Sequence, residues 1–341
     1  MPFDPVRRKY LAALSAHTGR PTILYASKWS QPDAPDPSLI SITEEDMQGF
    51  MEVVRGLGRT NLDIVLHSPG GSPTATEAIV DYLRSRFTHI RVFVPQAAMS
   101  AATMLACAAD EIVMGQHSSL GPIDPQFLIR VNNVPQMVPA QAILDQFEMA
   151  QSQCQDPKKL ASWMPILNQY GPALLVQCQY ALKLSRRLVQ DWLKKYMFAR
   201  LPVNQARSRA KSIAEMLADH TRHFTHSRHL SRQVCRAKGL AITDLENDQT
   251  TQDLVLSLFH ATTITFTGTP AVKIIENNNR RAFIKIAQPN IQNLPIRFLP
   301  PPIPAPVPQP LPQPAPQPAP QPQQNPAPQQ APDGVQRQSG A

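Results

Sequence analysis

A single serine stands in a stretch of small residues that would leave it accessible to a substrate. Residues 94–114 read VPQAAMSAATMLACAADEIVM, and Ser100 lies between a strand-like run, HIRVFV (89–94), and an alanine-rich helical run. A serine hydroxyl attacks an acyl carbon when a base removes its proton. Serine is equally a preferred N-cap residue of helices. The residues alone therefore leave two interpretations of Ser100 open, a nucleophile or a helix cap.

A glycine pair earlier in the chain could supply the second part of an acyl-transfer site. The stretch LHSPGGSPTATEAI (66–79) places Gly70 and Gly71 where the apolar run LDIVLH (62–67) turns into a helix. Glycine lets the backbone approach a ligand closely, and free amides at such a turn point toward a negative or polarised oxygen. The spacing is not that of a dinucleotide or P-loop motif, so nucleotide binding is not expected.

The elements that must position these residues alternate along the first half of the chain. Repeated strand–helix units indicate a parallel sheet covered by helices. Binding sites in such sheets form beyond the carboxyl ends of the strands, so Ser100 and the glycine pair are expected at one edge. The pattern predicts strands at 22–27, 62–67, 89–94 and 111–114, and helices at 42–57, 74–87 and 100–110.

The remainder of the chain divides into a helical second half and a proline-rich tail. Apolar residues recur at three- and four-residue steps over most of 138–237, which predicts helices. The stretch 250–286 leaves the assignment open, although TTITFTGTPAVKIIE is compatible with strands. Proline at about every second position predicts a disordered, extended tail. We therefore predict a domain at 1–286 and a Pro/Gln-rich tail at 287–341.

Composition indicates the compartment and the partners. The 341 residues carry a formal charge of +8, and 14 Lys/Arg stand against 3 Asp/Glu between Lys183 and Lys238. This basic region predicts either a solvated helical face or contact with an acidic partner or a membrane surface, and no specific nucleic-acid motif accompanies it. Four unpaired cysteines and no apolar run of membrane-spanning length predict a cytoplasmic protein, or one peripheral at a membrane.

Three stretches together resemble a known superfamily. HSPGG (67–71), AMSAATMLACAADEIVM (98–114) and SSLGPIDPQ (118–126) are similar to the Clp-protease/crotonase superfamily. Within it the chain most resembles the serine dehydrogenase proteinases, relatives of signal peptide peptidase A. THSRHLSRQVCRAKGLAI (225–242) resembles a later stretch of that family more loosely. The resemblance implies an α/β fold of repeated ββα units with a parallel sheet, a homo-oligomer, and hydrolysis of polypeptides without a cofactor or metal.

The resemblance also assigns roles to residues. It implies that Ser100 is the nucleophile and that the amides of Gly70 or Gly71 and of Ala101 form the oxyanion hole. Leu120, Gly121 and Pro122 are implied to shape the pocket wall.

The general base is the least determined part of this prediction. Pro125 stands where Clp-type proteases have a histidine, whereas signal peptide peptidase A uses a lysine. A lysine can serve as base when desolvation favours its neutral form. Lys158 and Lys159 are the first lysines after Ser100, and we expect one of them to be the base ahead of Lys183. His117, a residue of a neighbouring subunit, or no base at all remain alternatives.

Other polar residues are expected to have structural roles. His220, His223, His226 and His229 recur every third residue, which predicts a loop cluster rather than a metal site because acidic and cysteine partners are scarce nearby. Asp110, Glu111 and Asp124 are expected to be structural. Three other functions stay open: a crotonase-like acyl-CoA enzyme, a catalytically silent scaffold, and an adaptor that acts through its basic helices and proline-rich tail.

Overall fold

The computed structural model describes residues 3–58, 60–131 and 134–287. The strands in this part of the chain are β1 (Thr22–Ser27), β2 (Asn61–His67), β3 (His89–Val94), β4 (Ala97–Ala98), β5 (Glu111–Met114), β6 (Ser119–Leu120), β7 (Gln126–Val131), β8 (Val134–Pro139), β9 (Leu230–Ser231), β10 (Ile242–Asp244), β11 (Ala271–Asn277) and β12 (Ala282–Ile286). The helices are α1 (Asp4–Thr18), α2 (Pro37–Ile40), α3 (Asp46–Val54), α4 (Pro73–Arg86), α5 (Ala101–Cys107), α6 (Ala140–Gln153), α7 (Pro157–Leu167), α8 (Leu174–Lys195), α9 (Val203–Ala218), α10 (His220–His223), α11 (Arg232–Ala237) and α12 (Gln249–Gly268).

A seven-stranded sheet forms the centre of the fold. Its strand order is β10-β5-β3-β2-β1-β11-β12. The first five strands run parallel, and β11 and β12 add an antiparallel edge. The strands β1 to β3 are almost continuously apolar because both faces of the sheet are covered. The predicted α/β class with a mostly parallel sheet is confirmed.

Helices cover the sheet on both faces and define two cores. The larger core packs α3, α4, α5, α8 and α9 against one face, with Phe50, Leu83 and Trp192 among its buried residues. The other face is covered by α1 and α12, through Leu11, Leu14, Val255 and Leu258 among others. The turns that contain Gly70 and Ser100, at the ends of these strands, are therefore supported by well-packed cores.

Two smaller units complete the described fold. β4, β6 and β9 form a three-stranded sheet beside the carboxyl ends of the central strands, while β7 and β8 form a separate hairpin. The hairpin exposes Leu128, Val134 and Met137. A small core of Ala140, Ile143, Cys178 and Leu182 joins the hairpin to α6 and α8.

Some elements differ from the sequence-based expectation. The helix predicted at 42–57 begins only at Asp46, since residues 40–43 run along the glycine turn instead. The stretch 250–286, which the pattern left open, divides in two: TTITFTG (262–268), compatible with strands, ends the long helix α12 against α1, whereas AVKIIE (271–276) lies in the strand β11. The hairpin β7–β8 was not predicted. The proline-rich tail at 288–341 lies outside the described residues, so the boundary near residue 286 stays a prediction.

The basic region follows the surface helices. It runs over α8, α9 and α11, where Lys194 pairs with Asp191, Lys211 with Glu215, and Arg236 with Asp244. Within the three described ranges, no helix combines the length and apolar character that crossing a bilayer requires. Acidic or membrane contacts of this region stay a prediction.

A buried histidine gives the fold a pH dependence. His67, at the end of β2, is 3% exposed and packs against the rings of Trp29 and Phe259. Burial lowers the pKa of His67 to about 4, and a backbone hydrogen bond with Ala97 opposes the shift only in part. The folded state therefore takes up a proton later than the unfolded state, whose histidine has a pKa of about 6.5.

This difference predicts a loss of stability in acid. Between about pH 6.5 and 4, the unfolded state binds more protons than the folded state. The stability that the neutral, buried His67 contributes is therefore complete above about pH 6.5 and is lost as the pH falls to about 4. The loss from this group by pH 5 should reach about 2 kcal/mol. Denaturant unfolding at pH 7.5 and pH 5 should show a smaller loss in His67→Phe than in the unaltered protein. Equal losses would contradict the assignment.

Candidate active site

Ser100 occupies a strained turn between a strand and a helix. It directly precedes α5, with φ 51° and ψ −122°, a region that residues with a side chain rarely adopt. Its side chain caps no helix amide. Strain of this kind persists where the surrounding structure imposes it, and a strained strand-to-helix turn exposes the nucleophilic serine of α/β-hydrolases. The cap interpretation of Ser100 therefore loses its structural basis.

The glycine turn lies directly against Ser100. Ser68 pairs with Ala98 as a parallel bridge, so the two segments run side by side. A Cβ on Gly70 would lie 2.6 Å from Ser100 Cβ and 2.8 Å from Ala101 N, and Gly70 has φ +96°. Only glycine fits this approach without displacing the Ser100 turn.

Among the described residues, two amides beside Ser100, those of Gly71 and Ala101, have no hydrogen-bond acceptor. The Gly70 N–H donates to Ser68 Oγ (3.2 Å), and the Gly70 carbonyl accepts from the Ile42 N–H (2.7 Å). Because carbonyl and following N–H point in opposite directions across a trans peptide, the Gly71 N–H points away from Ile42. Ala101 begins α5, so its N–H has no partner within the helix. Of the two alternatives from the sequence, the geometry favours Gly71, together with Ala101, as the oxyanion donors.

Ser100 and the glycine pair line a groove of about 890 Å³. One wall belongs to the hairpin and to α8, which contribute Phe127, Met137 and Leu184 among others. The opposite wall contains the glycine turn and Thr74. The groove is wide enough for several residues of an extended chain, and most of its lining is apolar.

Two histidines on one buried carboxylate line the same groove. Asp124 is 1% exposed in its side chain and accepts from His226 Nδ1 at Oδ1 (2.7 Å) and from His220 Nδ1 at Oδ2 (2.9 Å). Both hydrogen bonds place the ring proton on Nδ1, which leaves each Nε2 as an acceptor. Within the described residues, Ser100, His220 and His226 thus face one groove, and the carboxylate orients both imidazoles.

The two histidines differ in their surroundings. His226 lies in the loop 224–227, which lines the groove as a unit. His220 also lines a separate depression with Gln141, Arg186 and Glu215. His220 therefore stands between the groove and this second depression, whereas His226 lines only the groove of the two.

Comparison with known proteins decides the family. Residues 39–260, more than half of the chain, match the family described as ClpP-like SDH-type serine proteinase. The chain belongs to this family. Two uncharacterised proteins of Methanocaldococcus jannaschii are 38% and 36% identical to it over 86 residues, which make up 25% of this chain and 30% of each relative. The match thus spans less than a third of the length of those curated relatives.

A solved structure is also similar to this ClpP-like chain. It is a mutant form of 1510-N, a membrane-bound stomatin-specific protease. The similarity covers 59% of this chain and 74% of that one, with 15% sequence identity and a TM-score of 0.33. The assignment to the ClpP-like proteinases therefore rests on the family match and on the α/β fold.

The predicted lysines lie elsewhere in this ClpP-like chain. Lys158 and Lys159 are exposed near the start of α7, and Lys183 is exposed on α8 with its Nζ 5.9 Å from the Tyr180 ring centroid. None of the three lines the groove. Because exposed ammonium groups keep their hydration, the desolvation that a lysine base needs is missing here.

Besides Ala101 and Pro122, three further predicted residues lie outside the groove lining. His117 Nε2 hydrogen-bonds to the Pro95 carbonyl and lines another depression. Leu120 is buried in β6. The Gly121 N–H donates to Thr103 Oγ1, and a Cβ on Gly121 would meet the Met99 side chain. Leu120 and Gly121 thus support the Ser100 turn from within the core, and they do not form the pocket wall.

The remaining histidines of the cluster have structural partners. His223 is buried and its Nε2 hydrogen-bonds to the Met216 carbonyl, while His229 Nδ1 bonds to Ser119 Oγ. In the described ranges, no group of three or more His, Cys, Asp or Glu side chains is arranged so that it could hold a metal ion. The contact of Asp124 with His220 and His226 was not predicted, because about a hundred residues separate the acid from the histidines. The sequence indicated His226 only through the stretch THSRH, which belongs to the part of the chain that resembles the family.

Proposed function

We propose that the protein is a serine peptidase in which Ser100, His226 and Asp124 act as a triad. The observation that carries this proposal is the shared groove: a strained serine beside two free amides faces imidazoles fixed by a buried carboxylate. Family membership supports hydrolysis of peptide bonds in general. The strain at Ser100 favours a peptidase over a crotonase-like acyl-CoA enzyme, which needs no serine at this turn.

The triad would work by acyl transfer. His226 Nε2 takes the Ser100 proton while Oγ bonds to the scissile carbonyl carbon, and the developing oxyanion accepts from the Gly71 and Ala101 amides. The imidazolium returns its proton to the leaving amine as the C–N bond breaks. A water molecule, deprotonated by the same histidine, then bonds to the acyl carbon, and the imidazolium returns its proton to Ser100 Oγ as the ester bond breaks. Asp124 holds the tautomer and stabilises the imidazolium throughout.

The groove supports a polypeptide substrate bound in an extended form. Its mostly apolar lining suits apolar side chains, and its size allows several residues on either side of the cleaved bond. A homo-oligomer, and contact of the basic helices with an acidic partner or membrane surface, are further proposals. Exposed apolar residues of the hairpin, such as Leu128 and Met137, support the first.

Labelling with a fluorophosphonate tests the proposal directly. The probe should modify the protein once, and peptide mapping should place the adduct on Ser100. Single changes of Lys158, Lys159 and Lys183 to methionine should leave the labelling rate within about twofold, because exposed charges distant from a reacting centre contribute little.

Two outcomes would contradict this assignment. Absence of labelling would favour a silent scaffold or a crotonase-like enzyme. A large loss of labelling in one lysine variant would restore the serine–lysine dyad.

A further inference from the structure

A buried ion pair lies behind the glycine turn. Lys273 on β11 and Asp46 at the start of α3 have side chains that are 0% and 1% exposed. Lys273 Nζ donates to both oxygens of Asp46, at 2.7 and 2.9 Å, and to the Ser41 carbonyl at 2.6 Å. Asp46 Oδ2 also accepts from the Tyr25 hydroxyl (2.7 Å) and from the Thr43 N–H (3.0 Å). The pair therefore fixes residues 41–43 from two sides.

The fixed segment is the one that holds the glycine turn. The Ile42 N–H donates to the Gly70 carbonyl (2.7 Å), and the Ile42 carbonyl accepts from the Ser72 N–H (2.9 Å). A Cβ on Gly71 would lie 2.4 Å from both Ile42 N and Ile42 O, so the two segments are in close contact. Ser41 itself lines the groove. A shift of Ile42 would thus rotate the peptide that carries the Gly71 N–H.

Burying such an ion pair in a core has a high desolvation free energy. Removing two charges from water costs several kcal/mol for each ion, and apolar residues of similar volume often stabilise a protein as well or better. Burial lowers the pKa of Lys273, and the negative charge of Asp46 opposes this shift. Burial and the charge of Asp46 both raise the pKa of Tyr25. Unlike apolar residues, the pair supplies a directed hydrogen bond to the Ser41 carbonyl.

We propose that the Lys273–Asp46 pair is a positioning device for the oxyanion hole. It acts through Ser41 and Ile42 on the peptide between Gly70 and Gly71, and it touches no substrate. This inference rests on the proposed peptidase function. It adds that the direction of one oxyanion donor is set from β11, in the antiparallel part of the sheet.

Positioning of this kind has a kinetic signature. Oxyanion-hole donors act mainly on the transition state, so a misaligned donor lowers kcat and leaves KM nearly unchanged. A displacement of about 1 Å in a catalytic group can cost on the order of 10²-fold in rate. A merely destabilising change would lower the fraction of active protein, and the turnover of each labelled site would stay the same.

The test is the double variant Asp46→Asn with Lys273→Met, which leaves no lone charge in the core. Its control is Arg7→Met with Glu276→Gln, in a wider network where Glu276 also pairs with Arg8 and Arg7 with Asp4. That pair is also fully buried, with Arg7 Nε 2.7 Å from Glu276 Oε2, and Glu276 lies on the same strand as Lys273. Turnover is counted per site titrated with the fluorophosphonate. Amide hydrogen exchange of Ile42 and Ser72 in the folded protein is the second readout.

We expect the first double variant to lose on the order of 10- to 100-fold in kcat with KM within about twofold. Exchange of the Ile42 and Ser72 amides should accelerate, and the control should change neither quantity. Unchanged kcat per titrated site, or an equal loss in the control, would overturn the inference. If the unaltered protein neither hydrolyses peptides nor reacts with the probe, the proposed function fails. The exchange measurement then decides alone whether the pair holds the turn, and unchanged exchange refutes it.

Discussion

Ser100→Ala should lower kcat/KM for peptide hydrolysis by on the order of 10⁶-fold and abolish fluorophosphonate labelling. The change removes the attacking oxygen and leaves only the oxyanion hole and substrate binding to assist the reaction. The positive φ at this position strains alanine as much as serine, so the unfolding free energy should change little. Steady-state kinetics and denaturant unfolding measure the two quantities.

The control for this variant is Ser68→Ala. Ser68 lies beside the same turn, and its hydroxyl accepts from the Gly70 N–H. It is buried, and Ser68→Ala should keep fluorophosphonate labelling, because the attacking Ser100 oxygen is still present; any loss of kcat from the released Gly70 N–H should be far smaller than the loss in Ser100→Ala. Retained hydrolysis in Ser100→Ala would refute the acyl-enzyme mechanism and favour a crotonase-like use of the paired amides.

His226→Gln should cost on the order of 10⁴-fold or more in kcat, because the Ser100 proton then has no acceptor. His220→Gln is the matched control, since both histidines bind Asp124 through Nδ1 and both line the groove. It should cost about tenfold or less, because the carboxylate loses one of three side-chain donors, Gln126 Nε2 still donates to it, and His226 keeps its partner. The measurement is kcat for each variant over pH 5–9.

The order of the two effects decides the assignment. If His220→Gln shows the larger loss, His220 is the base and His226 is the second donor. If both variants retain near-full activity, Asp124 and its histidines are structural, and the base must come from another subunit or be absent.

Much of the fold could be predicted from local pattern. The runs TILYAS, LDIVLH and HIRVFV are apolar enough to be strands buried on both faces, and the structure confirms all three. The sequence TTITFTG favours a strand by its β-branched residues, yet it ends α12, where Thr262 and Thr265 hydrogen-bond to carbonyls one turn earlier. Packing against α1 outweighs that local preference.

The site could be predicted only where its parts are close in sequence. Gly70, Gly71 and Ser100 each follow a strand, so the rule for parallel sheets brings them together. Asp124 and His226 meet because β9 pairs with β6, a short antiparallel contact that no pattern in the residues indicates. The lysine prediction came from the spacing in a related family, and spacing says nothing about which side of a helix faces the groove.

The floor and the wall of the groove should differ in how readily they open. Ala101 and Met104 belong to the large core, whereas the hairpin wall rests on the small core of Ala140, Ile143, Cys178 and Leu182. Regions with few buried contacts unfold locally at lower free energy, so amides in β7, β8 and α6 should exchange with solvent before those of α5. Substrate could then be admitted by transient opening of the wall, while the reacting groups keep their geometry.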